Sequence, residues 1–210
     1  VIPSRLVLAT ANPGKMRELR ALIAGWGPVE VHSLADFPTV SLPEEDGATY
    51  ADNAVLKGRA VATATGLPSL GDDSGLEVAA LSGAPGVRSA RFAPSDAERI
   101  ARLLELLRHA GDRRARFRCV TALVWPDGRT EQAEGVCEGR IAEHGDGAGG
   151  FGYDPIFVAD ELGRTFASAT PEEKARVSHR ARAMRALGVR LGGVSAPPSG
   201  PRALRRRGGP

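Results

Sequence analysis

Asp72 and Asp73 stand side by side, followed by Ser74 and Gly75, directly after an apolar stretch. Adjacent carboxylates repel unless a cation neutralises them, and strand ends in α/β sheets are where ligands bind. Hard oxygen donors of this kind suit Mg2+ or Mn2+. The same residues also make an ordinary solvated Asx turn. An earlier acidic run, Glu44-Glu45-Asp46, offers a further metal ligand or a merely solvated loop. Thr10-Ala11-Asn12-Pro13-Gly14-Lys15 opens a helix, where free N–H groups beside a lysine form an anion site suited to phosphate. From Ala9 these residues follow the P-loop spacing, but Met16 replaces the hydroxyl that holds Mg2+ there, so that reading fails at its metal step. Gly149-Gly150-Phe151-Gly152-Tyr153-Asp154-Pro155 combines a flexible backbone, aromatic faces and an acid, a set that suits a purine base. Lys174 and Ser178-His179-Arg180 add donors at helix starts.

The elements that must position these groups follow from periodicity and caps. Arg5 to Thr10 reads as a buried strand, and Asn12 caps a helix from about Lys15 to Ala24 with Leu19, Leu22 and Ile23 at helical spacing. Val29 to Leu34 reads as a short strand, and Tyr50 to Thr65 as a long helix stopped by Gly66 and Pro68. Ser69–Gly71 and Leu76–Ala80 read as strands flanking a tight turn at Asp72–Gly75. Ser95 and Glu98 form a capping box before Ile100, Leu103, Leu104 and Leu107. Arg116 to Trp125 and a returning strand ending near Ile141 make a hairpin through Pro126-Asp127-Gly128. A strand at Ile156–Val158, a helical start at Thr170–Glu173 and a last helix from Ser178 to about Leu191 complete the body. Alternating strands and helices with one hairpin indicate an α/β fold: a mixed, twisted sheet with flanking helices, forming two lobes around a central cleft.

Composition narrows the classes. The formal net charge is +3, but four arginines (Arg202, Arg205, Arg206 and Arg207) lie beyond residue 195 with no acid, which leaves 24 basic against 25 acidic residues, or −1, in the body. Residues 1–194 therefore read as one domain and 195–210 as a Pro/Gly/Arg-rich, disordered tail. Nucleic acid is expected only as a weak contact through that tail. Of 28 basic residues only Lys15, Lys57 and Lys174 are lysines, which either marks places where a compact ammonium is needed rather than a fork or is the few that chance leaves. No apolar run approaches membrane-spanning length, and Val1–Arg5 lacks a basic-then-apolar export pattern. Two cysteines, Cys119 and Cys137, make neither a disulfide framework nor a four-ligand zinc site. A reducing, cytoplasmic setting is expected.

Taken in order, these segments resemble the inosine/xanthosine triphosphate pyrophosphatase family. The resemblance runs through Thr10–Lys15, Glu44–Gly47 with Asn53–Lys57, Leu70–Leu76, Gly83–Arg91, Gly149–Pro155 and Glu173–Arg180, covering residues 5 to about 191. It implies hydrolysis of non-canonical purine (deoxy)nucleoside triphosphates (ITP, dITP and XTP) to the monophosphate and pyrophosphate, cleansing the nucleotide pool. Carried over by motif, Thr10, Ala11, Asn12, Pro13, Gly14 and Lys15 bind phosphate, Glu44 and Asp73 hold Mg2+, and Asp73 is the proton acceptor, with Asp72 in support. Ser74, Phe151, Gly152, Tyr153, Asp154, Lys174, His179 and Arg180 bind substrate, and the family implies a homodimer. The competing readings are a Maf-like nucleotide pyrophosphatase of other base preference and a nucleotide- or RNA-binding module without turnover.

Overall fold

A computed structural model describes residues 1–193; the tail expected at 195–210 lies outside the described residues. Seven strands form one mixed sheet in the order β2-β1-β3-β4-β5-β6-β7. They are β1 (Arg5–Ala9), β2 (Glu30–His32), β3 (Ser69–Val78), β4 (Arg114–Val124), β5 (Thr130–Ile141), β6 (Phe157–Ala159) and β7 (Arg164–Thr165). β1 runs parallel to β2 and β3, and the remaining pairs are antiparallel. The helices are α1 (Pro13–Ile23), α2 (Tyr50–Thr65), α3 (Asp96–Leu106), α4 (Pro171–Val177) and α5 (His179–Arg190).

The caps explain why the helices begin where they do. Asn12 accepts a hydrogen bond from the Lys15 amide, and Pro13 occupies the first turn of α1, where its missing N–H costs nothing. Thr49 with Asp52, Ser95 with Glu98 and Thr170 with Glu173 form reciprocal capping boxes for α2, α3 and α4. Gly66, left-handed at φ 67°, ends α2. Ser178 is the single residue between α4 and α5, and its side chain caps the second of them through the Ala181 amide.

Side chains alternate across the sheet, and this decides where the chemistry lies. On one face Leu6, Leu8, Leu70 and Leu123 pack under α1 and α5 with Leu19, Met184 and Leu187. Farther along the same face, Leu76, Val78, Phe117 and Cys137 form a second core with α3 residues Leu103 and Leu107. The opposite face buries Val120, Ala122 and Val124 beneath Tyr50, Ala54 and Ala62 of α2. The two expected lobes are thus two cores along one continuous sheet. Two glycines set the helix heights. A Cβ at Gly71 would lie 2.0 Å from the Ala54 carbonyl oxygen of α2, and one at Gly135 would lie 2.1 Å from the His179 carbonyl oxygen of α5.

One expectation fails instructively. Asp72–Gly75 is no turn: β3 runs unbroken through it, pairing with β4 from Ser69↔Val124 to Val78↔Ala115. Turn-forming residue types are overridden because each polar side chain finds a buried partner, and because Gly75 allows the Gly86 carbonyl oxygen to approach (2.2 Å from a hypothetical Cβ). Smaller differences are the extra strand β7, the start of β6 one residue late, and a shorter β2.

Candidate active site

A continuous β3 sends Asp72 and Asp73 to opposite faces of the sheet. The adjacent acids therefore do not form the mutually repelling pair that their spacing suggested. On the face between the two cores, Asp72 is fully buried. Its Oδ1 lies 2.6 Å from Lys15 Nζ of α1. Its Oδ2 accepts from Arg180 Nε of α5 at 3.0 Å and from Cys119 Sγ of β4 at 2.9 Å. Burial opposes its charge, but the Arg180 and Lys15 cations and the thiol outweigh that and hold its carboxyl well below the usual range. Burial, then Asp72, pushes the Cys119 thiol well up, so Cys119 stays a proton donor.

On the opposite face Asp73 meets α2. Its Oδ2 accepts from Asn53 Nδ2 at 3.0 Å, its Oδ1 accepts from the Ser74 amide at 2.9 Å, and Lys57 Nζ is 4.0 Å away. Lys57 also pairs with Glu45. Burial raises the Asp73 carboxyl above its ordinary value in spite of Lys15, Lys57 and Asn53, and the nearby Glu45 charge adds to the rise. Glu44, the expected metal ligand, is exposed; Glu45 is the half-buried member of the acidic run that reaches the cluster. Adjacent loop residues point to different sides, and sequence alone does not say which one faces in.

Around Asp72 the other cations are held in the same way. Glu18 of α1 bridges Lys174 Nζ (2.8 Å) and Arg180 Nη1 (2.5 Å). Arg180 Nη2 donates to Ser74 Oγ at 2.9 Å. Lys174 also pairs with buried Asp154 at 2.5 Å, and Asp154 accepts from the Phe151 amide at 2.9 Å. Glu18 was absent from the sequence candidates, although its place one turn after Lys15 on an α1 face is the signal that could have found it. His179 is 3% exposed and stacks on Phe117 at 4.6 Å between centroids, and its Nδ1 has no partner. Burial, then the Arg180 and Lys174 charges, lower its pKa well below the ordinary value, so the ring is a neutral donor and acceptor.

Most of the expected residues converge. Asn12, Lys15, Ser74, Phe151–Asp154, Lys174, His179 and Arg180 line one small cavity of about 90 Å³. Phe151 and Lys174 also wall a larger neighbouring cavity of about 290 Å³ bounded by α1 and α4. Thr10 is buried and accepts from the Asn12 amide, while Ala11 and Pro13 sit exposed on the helix approach. Gly14 is required by Phe151, whose ring would lie 2.4 Å from a Cβ there. Tyr153 belongs chiefly to the core, with its hydroxyl donating to the Ser89 carbonyl.

Across both faces four cations (Lys15, Lys57, Lys174 and Arg180) meet five carboxylates (Glu18, Glu45, Asp72, Asp73 and Asp154). The formal sum, −1, does not favour a polyphosphate by itself. Among the described residues no three His, Cys, Asp or Glu side chains form a ready metal cluster. Asp73 and Glu45, both beside the Lys57 ammonium, are hard oxygen donors of the type that suits Mg2+, which characteristically takes one or two carboxylates and completes its shell with water and substrate phosphate. Among the described residues no helix is long and apolar enough to cross a membrane.

The sequence model of the Ham1 family matches residues 6–189. A dITP/XTP pyrophosphatase from Thermus thermophilus is 53% identical over 189 residues, covering 87% of this chain and 89% of that one. The structure of a HAM1 protein from Coxiella burnetii superposes with a TM-score of 0.81 at 41% identity, covering 91% of this chain and all of that one. A nucleoside-triphosphatase/dITP/XTP pyrophosphatase from Mycobacterium abscessus superposes with a TM-score of 0.70 at 44% identity, covering 87% of this chain and 98% of that one.

Proposed function

The chain belongs to the Ham1 family, and from that premise we propose how its buried charges perform the hydrolysis of non-canonical purine nucleoside triphosphates to monophosphate and pyrophosphate. The observation that carries the reading is the separation of Asp72 from Asp73 by the sheet. One carboxylate gathers cations; the other, raised by burial, is left to take a proton.

Lys15 and the free amides at the start of α1 face the phosphates, and Asp72 ties Lys15 to Arg180 on the base side of the pocket. These groups are held before substrate arrives, so little reorganisation accompanies charge development at phosphorus. Asp73 accepts the proton of the attacking water, and the rise that burial gives its carboxyl brings it nearer to the task. Water adds at the α phosphorus, the bond to the bridging oxygen breaks, and pyrophosphate leaves. Asp73 and Glu45 would hold Mg2+, which supplies charge neutralisation on the phosphate oxygens. The base lies against Phe151, within reach of the Asp154–Lys174 pair, His179 and Arg180. A 6-oxo purine presents an acceptor to these donors, whereas the amino group of adenine leaves them unpaired.

The same reading extends to a homodimer, supported by the family resemblance and checked by sedimentation. It also extends to a cytoplasmic location, supported by the two free cysteines. The direct test of the chemistry is turnover of inosine triphosphate in 18O-labelled water with and without Mg2+. Label in the monophosphate, with pyrophosphate as the other product and only when Mg2+ is present, is expected; labelled inorganic phosphate contradicts it.

A further inference from the structure

Asn53 is fully buried in α2, one helical turn before Lys57, and both residues point at Asp73. Its amide is used at both ends. Oδ1 accepts from the Gly47 amide at 2.9 Å, and Nδ2 donates to Asp73 Oδ2 at 3.0 Å. The Gly47 N–H can bond only to an acceptor, so it sets the orientation of the amide and leaves Nδ2 facing Asp73. An aspartate would turn a second negative charge on Asp73, and a leucine would leave both partners unpaired. Gly47 has its own reason to be glycine: a Cβ there would lie 2.5 Å from Asn53 Oδ1. Two residues before it, Glu45 pairs with Lys57. One helix face therefore ties the acidic loop to β3 twice, by a charge at Lys57 and by a neutral, directional amide at Asn53.

We infer that Asn53 is a positioning residue that fixes the separation of the Glu45 and Asp73 carboxylates, so that the pair binds a divalent cation before the nucleotide arrives. This rests on the reading of those two carboxylates as the cation site. Groups that orient metal-binding carboxylates typically cost ~10–100-fold in metal affinity when removed.

The test is direct Mn2+ binding to the nucleotide-free protein, followed by the electron paramagnetic resonance signal of free Mn2+, with thermal unfolding recorded in parallel. Asn53→Ala removes both bonds. Gly47→Ala acts from the loop alone, pressing a methyl group against the amide oxygen while leaving the buried side chain in place, and it remains informative if Asn53→Ala does not fold. Both are expected to weaken Mn2+ binding at least ~10-fold relative to wild type. In steady-state assays the Mg2+ concentration for half-activation should rise by a similar factor, with kcat at saturating Mg2+ changed much less. Wild-type Mn2+ affinity in the folded variants overturns the role of Asn53 while sparing the cation site. A wild-type protein that takes up no Mn2+ overturns the cation site itself, and the inference with it.

Discussion

Replacing Asp72 by asparagine keeps its shape and removes its charge, and the structure gives the cost. Asp72 is 0% exposed and its charge is shared by two cations, Lys15 at 2.6 Å and Arg180 at 3.0 Å. Arg180 is itself 1% exposed, and after the substitution its carboxylate partner is Glu18, which Lys174 also uses. Lys15 has a side chain 15% exposed and can turn partly to water. Removing one partner of a buried pair costs about 3–5 kcal/mol, and the escape available to Lys15 puts this case near 3. At 2–4 °C per kcal/mol for a chain of this size, the melting temperature should fall by roughly 6–12 °C. The asparagine amide also presents N–H groups to a cation, so kcat/KM should fall with stability, because Lys15 and Arg180 lose the group that gathers them. Urea unfolding, calorimetry and turnover of inosine triphosphate measure the three effects. A variant within about 1 kcal/mol of wild type, with unchanged kcat/KM, would refute the assignment of Asp72 as the anchor of Lys15 and Arg180.

Asp73→Asn should still fold, because burial already disfavours the Asp73 charge, at the cost of whichever bond from Asn53 or Ser74 its single amide oxygen does not accept; turnover should drop by ~10²–10⁴-fold or more. A folded variant with near-normal kcat would remove Asp73 as proton acceptor. His179 is held neutral in the fold, while an unfolded histidine takes up a proton below about pH 6.5. Stability present above that pH should therefore be lost as the pH falls through it, at up to about 1.4 kcal/mol per unit, until the lowered folded pKa is reached. His179→Phe should flatten that part of the urea-unfolding profile, and an unaltered slope would contradict the neutral ring. Truncation after Val194 should leave kcat and base preference unchanged, since every residue placed at the site lies before it; loss of activity on truncation would show that the tail contributes.

Much of this arrangement is legible in the residues because local chemistry and tertiary structure agree there. α2 starts and stops where Thr49, Asp52 and Gly66 say it should, and α1 begins at the Asn12 cap. The Asp72–Gly75 turn misled for the opposite reason. Asp, Ser and Gly are turn formers, but here Arg180, Lys15 and Asn53, distant in sequence, satisfy their side chains and make a strand affordable. Long-range partners also settled two further positions: Lys57 draws Glu45 inward, a choice between Glu44 and Glu45 that no local pattern carries, and Lys174 with Arg180 holds Glu18, whose one local signal is its place a turn after Lys15. Tyr153, chosen for its aromatic face, went to the core because its hydroxyl found the Ser89 carbonyl.

The most direct measurement is kcat/KM for inosine triphosphate and for ATP at fixed Mg2+, on wild type, His179→Ala and Arg180→Ala. Each donor that faces the 6-amino group of adenine without a partner costs roughly 1–3 kcal/mol, and two such losses at the middle of that range give a preference of ~10²–10³-fold for inosine triphosphate. Both substitutions should narrow that ratio, chiefly by slowing inosine triphosphate. Equal wild-type rates for the two nucleotides would contradict selective removal of non-canonical purine triphosphates.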